Sequence, residues 1–144
     1  MMPSYERTRD LPYTPEQMFE LVIDVERYPE FVPGYLDVRI ARREGNTLYV
    51  DQTIGLAAAR LTFQSVAETT PPARISINST NGPFKRLSVD WRFSAEPRGC
   101  NVHFVAGYEL SAGPLGFLVQ RWFDETSGRI LDAFIRRAEV VYGA

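Results

Sequence analysis

Cysteine and histidine are almost absent from this sequence, with Cys100 and His103 as the sole examples. One cysteine excludes an internal disulfide and agrees with a reducing compartment, which predicts a cytoplasmic protein. One histidine leaves little with which to build a metal centre or a histidine-based triad. His103 has the outward parity of its predicted strand, and Cys100 follows a glycine in a predicted turn with no neighbour to activate it.

Long apolar runs and an excess of either charge are also missing. No apolar run approaches the roughly 20 residues that span a bilayer, and the opening MMPSYERTRD lacks the apolar segment of a secretory signal. The net charge of -2 gives no global basic field that would hold DNA. No glycine-rich phosphate loop precedes a helix. The membrane role that remains is peripheral contact with the inner face of the cell membrane.

What the sequence does have is the composition of a globular domain, with 44% hydrophobic and 24% charged residues. A chain of this length can bury one sizeable core, so residues 1–144 are predicted to form a single domain. Residues 4–11 alternate like a strand. A helix then begins, with Thr14 as N-cap, Pro15 at the first position and Gln17 placed for a capping box.

Five further segments alternate apolar and polar residues with a period of two: 48–56, 60–68, 74–79, 87–93 and 102–110. The last two are the clearest, because large aromatic side chains share one face of each. Turn signals separate the segments, among them EGN, TPPA, NGP and EPRG. Short connections and one apolar face predict an antiparallel meander with its other side in water.

A long amphipathic helix is predicted from about residue 115 to residue 142. Its main apolar stripe contains Leu115, Val119, Trp122, Phe123, Ile130, Ala133, Phe134, Val140 and Val141. A second stripe, away from the first, contains Phe117, Leu131, Ile135 and Tyr142. These elements predict an α+β fold of the helix-grip kind, in which a curved antiparallel sheet of about six or seven strands wraps around the long C-terminal helix. Two short helices follow the first strand.

The nine residues RYPEFVPGY, 27–35, are named here the aromatic corner. Pro29 suits the first turn of a short helix, and Pro33 with Gly34 ends that helix within about a turn. The result is a rigid segment that presents Tyr28, Phe31 and Val32 together. Two interpretations remain open, because the corner either plugs the end of the core or forms one wall of a cavity.

A curved sheet around one helix brings many large inward side chains together, and they either fill the core or line a hollow. Two polar groups favour the hollow, since Tyr108 and Thr126 face inward and a buried hydroxyl needs a partner. The alternative for Thr126 is a bond back to the carbonyl of Trp122. The predicted ligand-binding set is Tyr28, Phe31, Val32, Phe63, Trp91, Phe93, Phe104, Tyr108, Trp122, Thr126 and Ile130, in a pocket of roughly 300–1,000 Å³.

No catalytic residue is predicted, because the carboxylates Asp124 and Glu125 face away from the apolar stripe. Two apolar segments, GLAAAR (55–60) and GPLGF (113–117), stand where polar turn residues are normal. They form either a portal for a lipid at a membrane surface or loops that fold back on the core.

Three stretches of the chain resemble the coenzyme Q-binding protein family of START-like domains, within the polyketide cyclase/dehydrase superfamily. They are YTPEQMFELVIDVERYPEFVPG, GPFKRLSVDWRF and WFDETSGRILDAFIRRAEVVYG, and the resemblance covers nearly the whole chain in order. The resemblance implies a helix-grip fold that binds ubiquinone in a hydrophobic tunnel and supports respiratory electron transfer without catalysing a step. One departure is Gly34-Tyr35, where that family leads us to expect a Trp-Cys pair.

The same resemblance implies two other functions. The bacterial family includes ribosome-association toxins, which implies binding to the large ribosomal subunit and a block of subunit joining. The candidate residues for such contacts are the basic side chains Arg39, Arg42, Arg43, Arg136 and Arg137. A cyclase or dehydratase activity rests on superfamily analogy alone.

Overall fold

The computed structural model describes residues 4–56, 59–111, 113 and 116–143. Seven strands form one antiparallel sheet. They are β1 (Ser4–Leu11), β2 (Tyr35–Glu44), β3 (Thr47–Leu56), β4 (Ala59–Thr70), β5 (Arg74–Ser79), β6 (Phe84–Glu96) and β7 (Gly99–Leu110). The helices are α1 (Pro15–Ile23), a 3₁₀ helix (Val25–Glu30) and α2 (Gly116–Tyr142).

The sheet order is β1-β7-β6-β5-β4-β3-β2, so every strand from β2 to β7 pairs with its neighbour in sequence. This confirms the predicted meander and the helix-grip architecture. β1 is first in the chain but pairs with the last strand, β7, from Ser4 opposite Gly107 to Leu11 opposite Cys100. The two edge strands are therefore β1 and β2, and the segment that joins them carries α1 and the aromatic corner.

Strand β2 has no counterpart among the segments predicted from alternation. Seven of its ten residues are exposed and only Val38 is buried; Leu36, Val38 and Ile40 alternate with polar residues, but the alternation ends at Ile40. Its partner on one side is β3, and its other edge is free of strand pairing in the described part of the chain. An edge strand with a wet face can carry arginines at positions where a central strand could not, which is why the period of two is lost here.

The start of α1 agrees with the sequence. The Thr14 hydroxyl accepts from the Gln17 backbone N–H at 3.1 Å, and the Gln17 side chain accepts from the Thr14 N–H at 2.9 Å. The prediction for the corner was wrong in one respect, since Pro29 lies near the end of the 3₁₀ helix and not in its first turn. The chain leaves α1 at Asp24 and turns into the 3₁₀ helix at once, four residues before the proline.

Helix α2 is buried over a wider surface than the predicted stripe. Leu131, assigned to the second stripe, is fully buried, while Val140 and Val141 of the main stripe are 79% and 51% exposed. The sheet covers only the first part of the helix, and α1 and β1 cover a second side of it: Tyr5 lies near Gly128, and Tyr142 donates to the Gln17 carbonyl at 2.8 Å. Leu115 lies outside the described residues.

Candidate functional site

A small cavity lies between the concave face of the sheet and α2, with a volume of about 70 Å³. This is well below the predicted 300–1,000 Å³ and leaves room for only a few water molecules. The side chains of the curved sheet and the helix fill most of the interior between them. The expectation of a roomy pocket was wrong, and a narrow slot remains.

Seven of the predicted ligand-binding residues line this slot. They are Tyr28 and Val32 from the aromatic corner, Trp91 and Phe104 from β6 and β7, and Trp122, Thr126 and Ile130 from α2. The three helix residues are spaced four apart, so they form one row along the roof of the slot. Sheet, corner and helix each supply one wall.

The other four predicted residues are drawn into packing elsewhere. Phe63 stacks edge-on against Phe84 at 5.0 Å between ring centroids, and Phe93 lies 6.4 Å from Phe19 of α1. Tyr108 lies 4.2 Å from Phe123. Inward parity was correct for all three, but a strand longer than the cavity buries most of its inward residues in ordinary core. They do not line the slot.

Phe31, the fourth, packs on the outside of α2. Its ring lies 5.1 Å from the ring of Phe134, and the Arg137 guanidinium sits over its other side at 4.9 Å from the ring centroid. Arg137 also bonds to Glu30 at 2.9 Å. The aromatic corner is therefore both plug and wall: Phe31 clamps the helix, while Tyr28 and Val32 face the slot.

Sequence reasoning missed several lining residues, and two of them are polar side chains of the sheet's central strands. Gln52 on β3 and Ser65 on β4 are both buried, and the Gln52 amide donates to the Ser65 hydroxyl. The signal was available, because Gln52 has the same parity as Val50 and Ile54, which were assigned to the inward face. A polar residue in an inward row is informative since it must find a partner or a ligand.

The slot carries no formal charge. Among the described residues, none that line it is ionised at neutral pH. Burial raises the pKa of Tyr35 to about 12 and the pKa of Tyr28 well above its ordinary value. The Tyr28 hydroxyl donates to the Val22 carbonyl. Both phenols are therefore neutral, and the slot suits an uncharged ligand.

The polar side chains of Trp122, Thr126 and Ser127 on α2 differ in their hydrogen bonding. The predicted bond from Thr126 back to the Trp122 carbonyl is not found among the described residues; the neighbouring Ser127 makes the equivalent bond to the Phe123 carbonyl. The indole Nε1 of Trp122 is buried and has no hydrogen-bond partner in the described part of the chain.

The departure at Gly34-Tyr35 is explained by the same tryptophan. Gly34 has φ +85, and a Cβ built on it would lie 2.4 Å from Trp122 Nε1. The ring of Tyr35 lies 6.4 Å from that of Trp122. A glycine at this position thus admits an indole from α2 against the corner, so Trp122 forms the cavity wall there.

The remaining reactive side chains lie outside the slot. Asp124 and Glu125 face solvent, where they pair with Gln120 and Arg121 at 3.0 Å. Cys100 lies in β7, not in a turn, and its burial raises the pKa of the thiol to about 11, which keeps it protonated at neutral pH.

The curved sheet that holds one long C-terminal helix, with an uncharged slot between them, defines a helix-grip protein of the START type. A family model described as "Polyketide cyclase / dehydrase and lipid transport" matches residues 11–135. The chain belongs to this family. None of the helices in the described residues is long and apolar enough to cross a membrane.

Its relatives carry two kinds of name. "Ribosome association toxin RatA" of Escherichia coli K12 is 32% identical over 145 residues, which cover 100% of this chain and 92% of that protein. "Coenzyme Q-binding protein COQ10 homolog B, mitochondrial" of Xenopus laevis is 24% identical, over 96% of this chain and 59% of that protein.

Solved structures agree on the fold. The solution structure of an 18 kDa protein from Caulobacter crescentus is 33% identical, covers 99% of this chain and 100% of that one, and has a TM-score of 0.75. The Zhui aromatase/cyclase from Streptomyces has a TM-score of 0.83 at 17% identity, over 96% of this chain and 94% of that one. At that identity the aromatase/cyclase shows the fold alone.

The contact between Gly34 and Trp122 predicts a large penalty for Gly34→Ala. The added Cβ meets the indole, and the left-handed backbone adds strain, so we expect a loss of about 2–5 kcal/mol in the free energy of unfolding. Gly45→Ala is the matched control, because Gly45 has φ +57 and nothing within 4 Å of its added Cβ. It should lose only about 1 kcal/mol. Urea unfolding of both variants measures the difference, and equal losses would contradict the contact.

Proposed function

We propose that the protein binds an uncharged hydrophobic ligand in the slot under α2 and acts as a carrier, not as an enzyme. The first candidate is a polyprenyl quinone such as ubiquinone. The observation that carries the proposal is the slot itself: aromatic and aliphatic walls, no formal charge, and a few polar groups placed by helix and sheet. The coenzyme Q-binding name of the Xenopus relative points to the same ligand class.

The size of the slot sets how such a ligand is held. At about 70 Å³ it cannot take a substituted ring without some separation of α2 from the sheet. Ligand binding therefore includes an opening step, whose free energy the buried ring and the first isoprene unit must offset at about 0.8 kcal/mol per CH₂. The rest of a polyprenyl tail stays outside.

An exposed apolar side chain stands where the tail would leave. Phe117, in the first turn of α2, is 73% exposed, and it lies on the same helix as the cavity residues Trp122 and Thr126. A side chain of this kind suits transient contact with lipid at the inner face of the cell membrane, with the protein otherwise in the cytoplasm. In this proposal residues 1–144 work as one ligand-binding domain.

Extraction of the protein from its native host tests the ligand class directly. We expect organic extraction and mass spectrometry to recover a polyprenyl quinone in near-stoichiometric amount. The control is the same extraction after denaturing and refolding the protein in lipid-free buffer. Recovery of polar metabolites alone, at stoichiometric amounts, would end the proposal.

Thr126→Phe should block ligand uptake while the protein stays folded. The larger side chain fills the slot from the helix side, at a cost of about 1–3 kcal/mol for overpacking. The controls are Asp124→Ala and Glu125→Ala, two and one positions earlier on the solvent face, which should bind as the wild type does. Quinone binding followed by tryptophan fluorescence gives the readout. Loss of function in either carboxylate variant, with the fold intact, would instead favour catalysis.

A second candidate function is association with the ribosome, the word that the names of the 32% identical relatives carry, with the large subunit as the predicted partner. The observation in its favour is that two of the candidate arginines, Arg43 of β2 and Arg137 of α2, line one surface groove although they lie far apart in the sequence. The same groove contains Glu20, Asp24 and Glu26. These acids weaken its attraction for RNA phosphates, so we rank this function second.

The candidate arginines are also partly engaged within the protein. Arg42 pairs with Glu44 at 3.1 Å and lies over the Tyr49 ring at 4.2 Å, and Arg137 is held by Glu30. Contacts with rRNA would need these pairs to open. The available phosphate-binding surface is therefore smaller than the arginine count indicates.

Reversing two charges separates the two functions. In the double variant Arg42→Glu/Arg43→Glu, we expect quinone binding to change by less than twofold, because neither side chain lines the slot. Sedimentation with large ribosomal subunits at several salt concentrations is the parallel measurement. Contacts with RNA phosphates weaken steeply with salt, whereas hydrophobic capture is nearly indifferent to it. Tight, salt-sensitive cosedimentation of the wild type that the variant loses would reverse our ranking.

A further inference from the structure

The indole N–H of Trp122 is a buried donor without an acceptor. Three buried side-chain polar atoms lack a partner among the described residues, on Tyr108, Trp122 and Arg137, and only Trp122 also lines the slot. A buried donor that makes no hydrogen bond costs free energy, and a purely apolar side chain at this position would avoid that cost. The donor therefore needs a reason that the ligand-free protein does not supply.

Three of the other polar side chains around the slot already donate a hydrogen bond within the protein. The Tyr28 hydroxyl donates to the Val22 carbonyl, and the Gln52 amide donates to Ser65. The Ser127 hydroxyl donates to the Phe123 carbonyl within α2. The protein has thus satisfied these three donors and left the indole Nε1–H without an acceptor among the described residues. Thr126, one helical turn further on, presents a hydroxyl to the same space.

We infer that Trp122 Nε1–H donates a hydrogen bond to a carbonyl oxygen on the ring of the bound ligand, with the Thr126 hydroxyl beside it as a second donor. This inference rests on the proposed function and deepens it. It assigns the ligand class as a flat ring with a carbonyl acceptor, held with the carbonyl toward the aromatic corner and the rest of the ring against Trp91 and Phe104. A site with a buried donor discriminates strongly against a ligand that lacks the acceptor.

The chain provides a direct spectroscopic readout. Its two tryptophans, Trp91 and Trp122, both line the slot, so an amide and indole ¹H–¹⁵N spectrum has two indole signals, both from the site. The probes are 1,4-naphthoquinone and naphthalene, which share a ring system and differ in the carbonyls. We expect the quinone to move the Trp122 indole proton downfield, as a new hydrogen bond does, and naphthalene to leave it within the small shifts of ring contact. Trp122→Phe assigns the signal.

Affinity gives the second measurement. Trp122→Phe should weaken the quinone about 3- to 10-fold more than it weakens naphthalene, because both probes lose contact with the trimmed ring and only the quinone also loses a hydrogen bond. Trp91→Phe is the matched control, since it trims an indole from the opposite wall and should change both affinities in parallel. Without ligand, the urea midpoint of Trp122→Phe should equal or exceed that of Trp91→Phe, because only Trp122→Phe removes an unsatisfied donor.

The outcomes separate this inference from the proposed function. If both probes bind and Trp122→Phe alters their affinities equally, the indole only packs, and the inference is overturned while hydrophobic binding stands. The same holds if the indole proton does not move with the quinone, which would leave a water molecule as its partner. If neither probe binds to the wild type, the proposed function fails and the inference with it.

Discussion

Phe134 packs edge-on against three rings that come from distant parts of the chain. Tyr28 and Phe31 of the aromatic corner lie at 5.2 and 5.1 Å, and Trp91 of β6 lies at 5.0 Å between ring centroids. This one side chain joins helix, corner and sheet, and the slot exists because the three are held at that spacing. The stiffness of the corner follows from this role. Its two prolines limit the backbone so that Tyr28 faces the interior and Phe31 clamps the outside of the helix.

Short-range physics explains what could be predicted from the sequence. The capping box at Thr14 and the alternation around Trp91 and Phe104 are local patterns, and the structure confirms both. Strand β2 was not predicted because its alternation, at Leu36, Val38 and Ile40, lasts only five residues and then gives way to the arginines of the exposed edge. The burial of Leu131 was not predicted for a different reason, since it depends on β1 and α1, which cover a second side of α2.

The faces that line the slot were predictable from the sequence, but the volume of the slot was not. Inward parity found the correct faces, and the polar residues that break an inward row, Thr126 on the helix and Gln52 on β3, are the ones that border the slot. Volume is a property of how twenty side chains interlock, and no pattern of period two or 3.6 encodes it. The pairing of Gly34 with Trp122 belongs to the same class, because it links residues 88 positions apart that only the fold brings together.

The pairing of the first strand, β1, with the last, β7, affects how the chain reaches its native state. The hairpins from β2 to β7 close short loops and can form in succession, whereas β1 must find β7 across the intervening chain, with Leu11 opposite Cys100 as its nearest pair. Closing so long a loop is entropically costly and slow compared with hairpin formation. The same closure draws α1 and the aromatic corner across the open end of the sheet. We therefore expect the placement of α1 and the aromatic corner, and with it the completion of the slot, to depend on this slow long-range step.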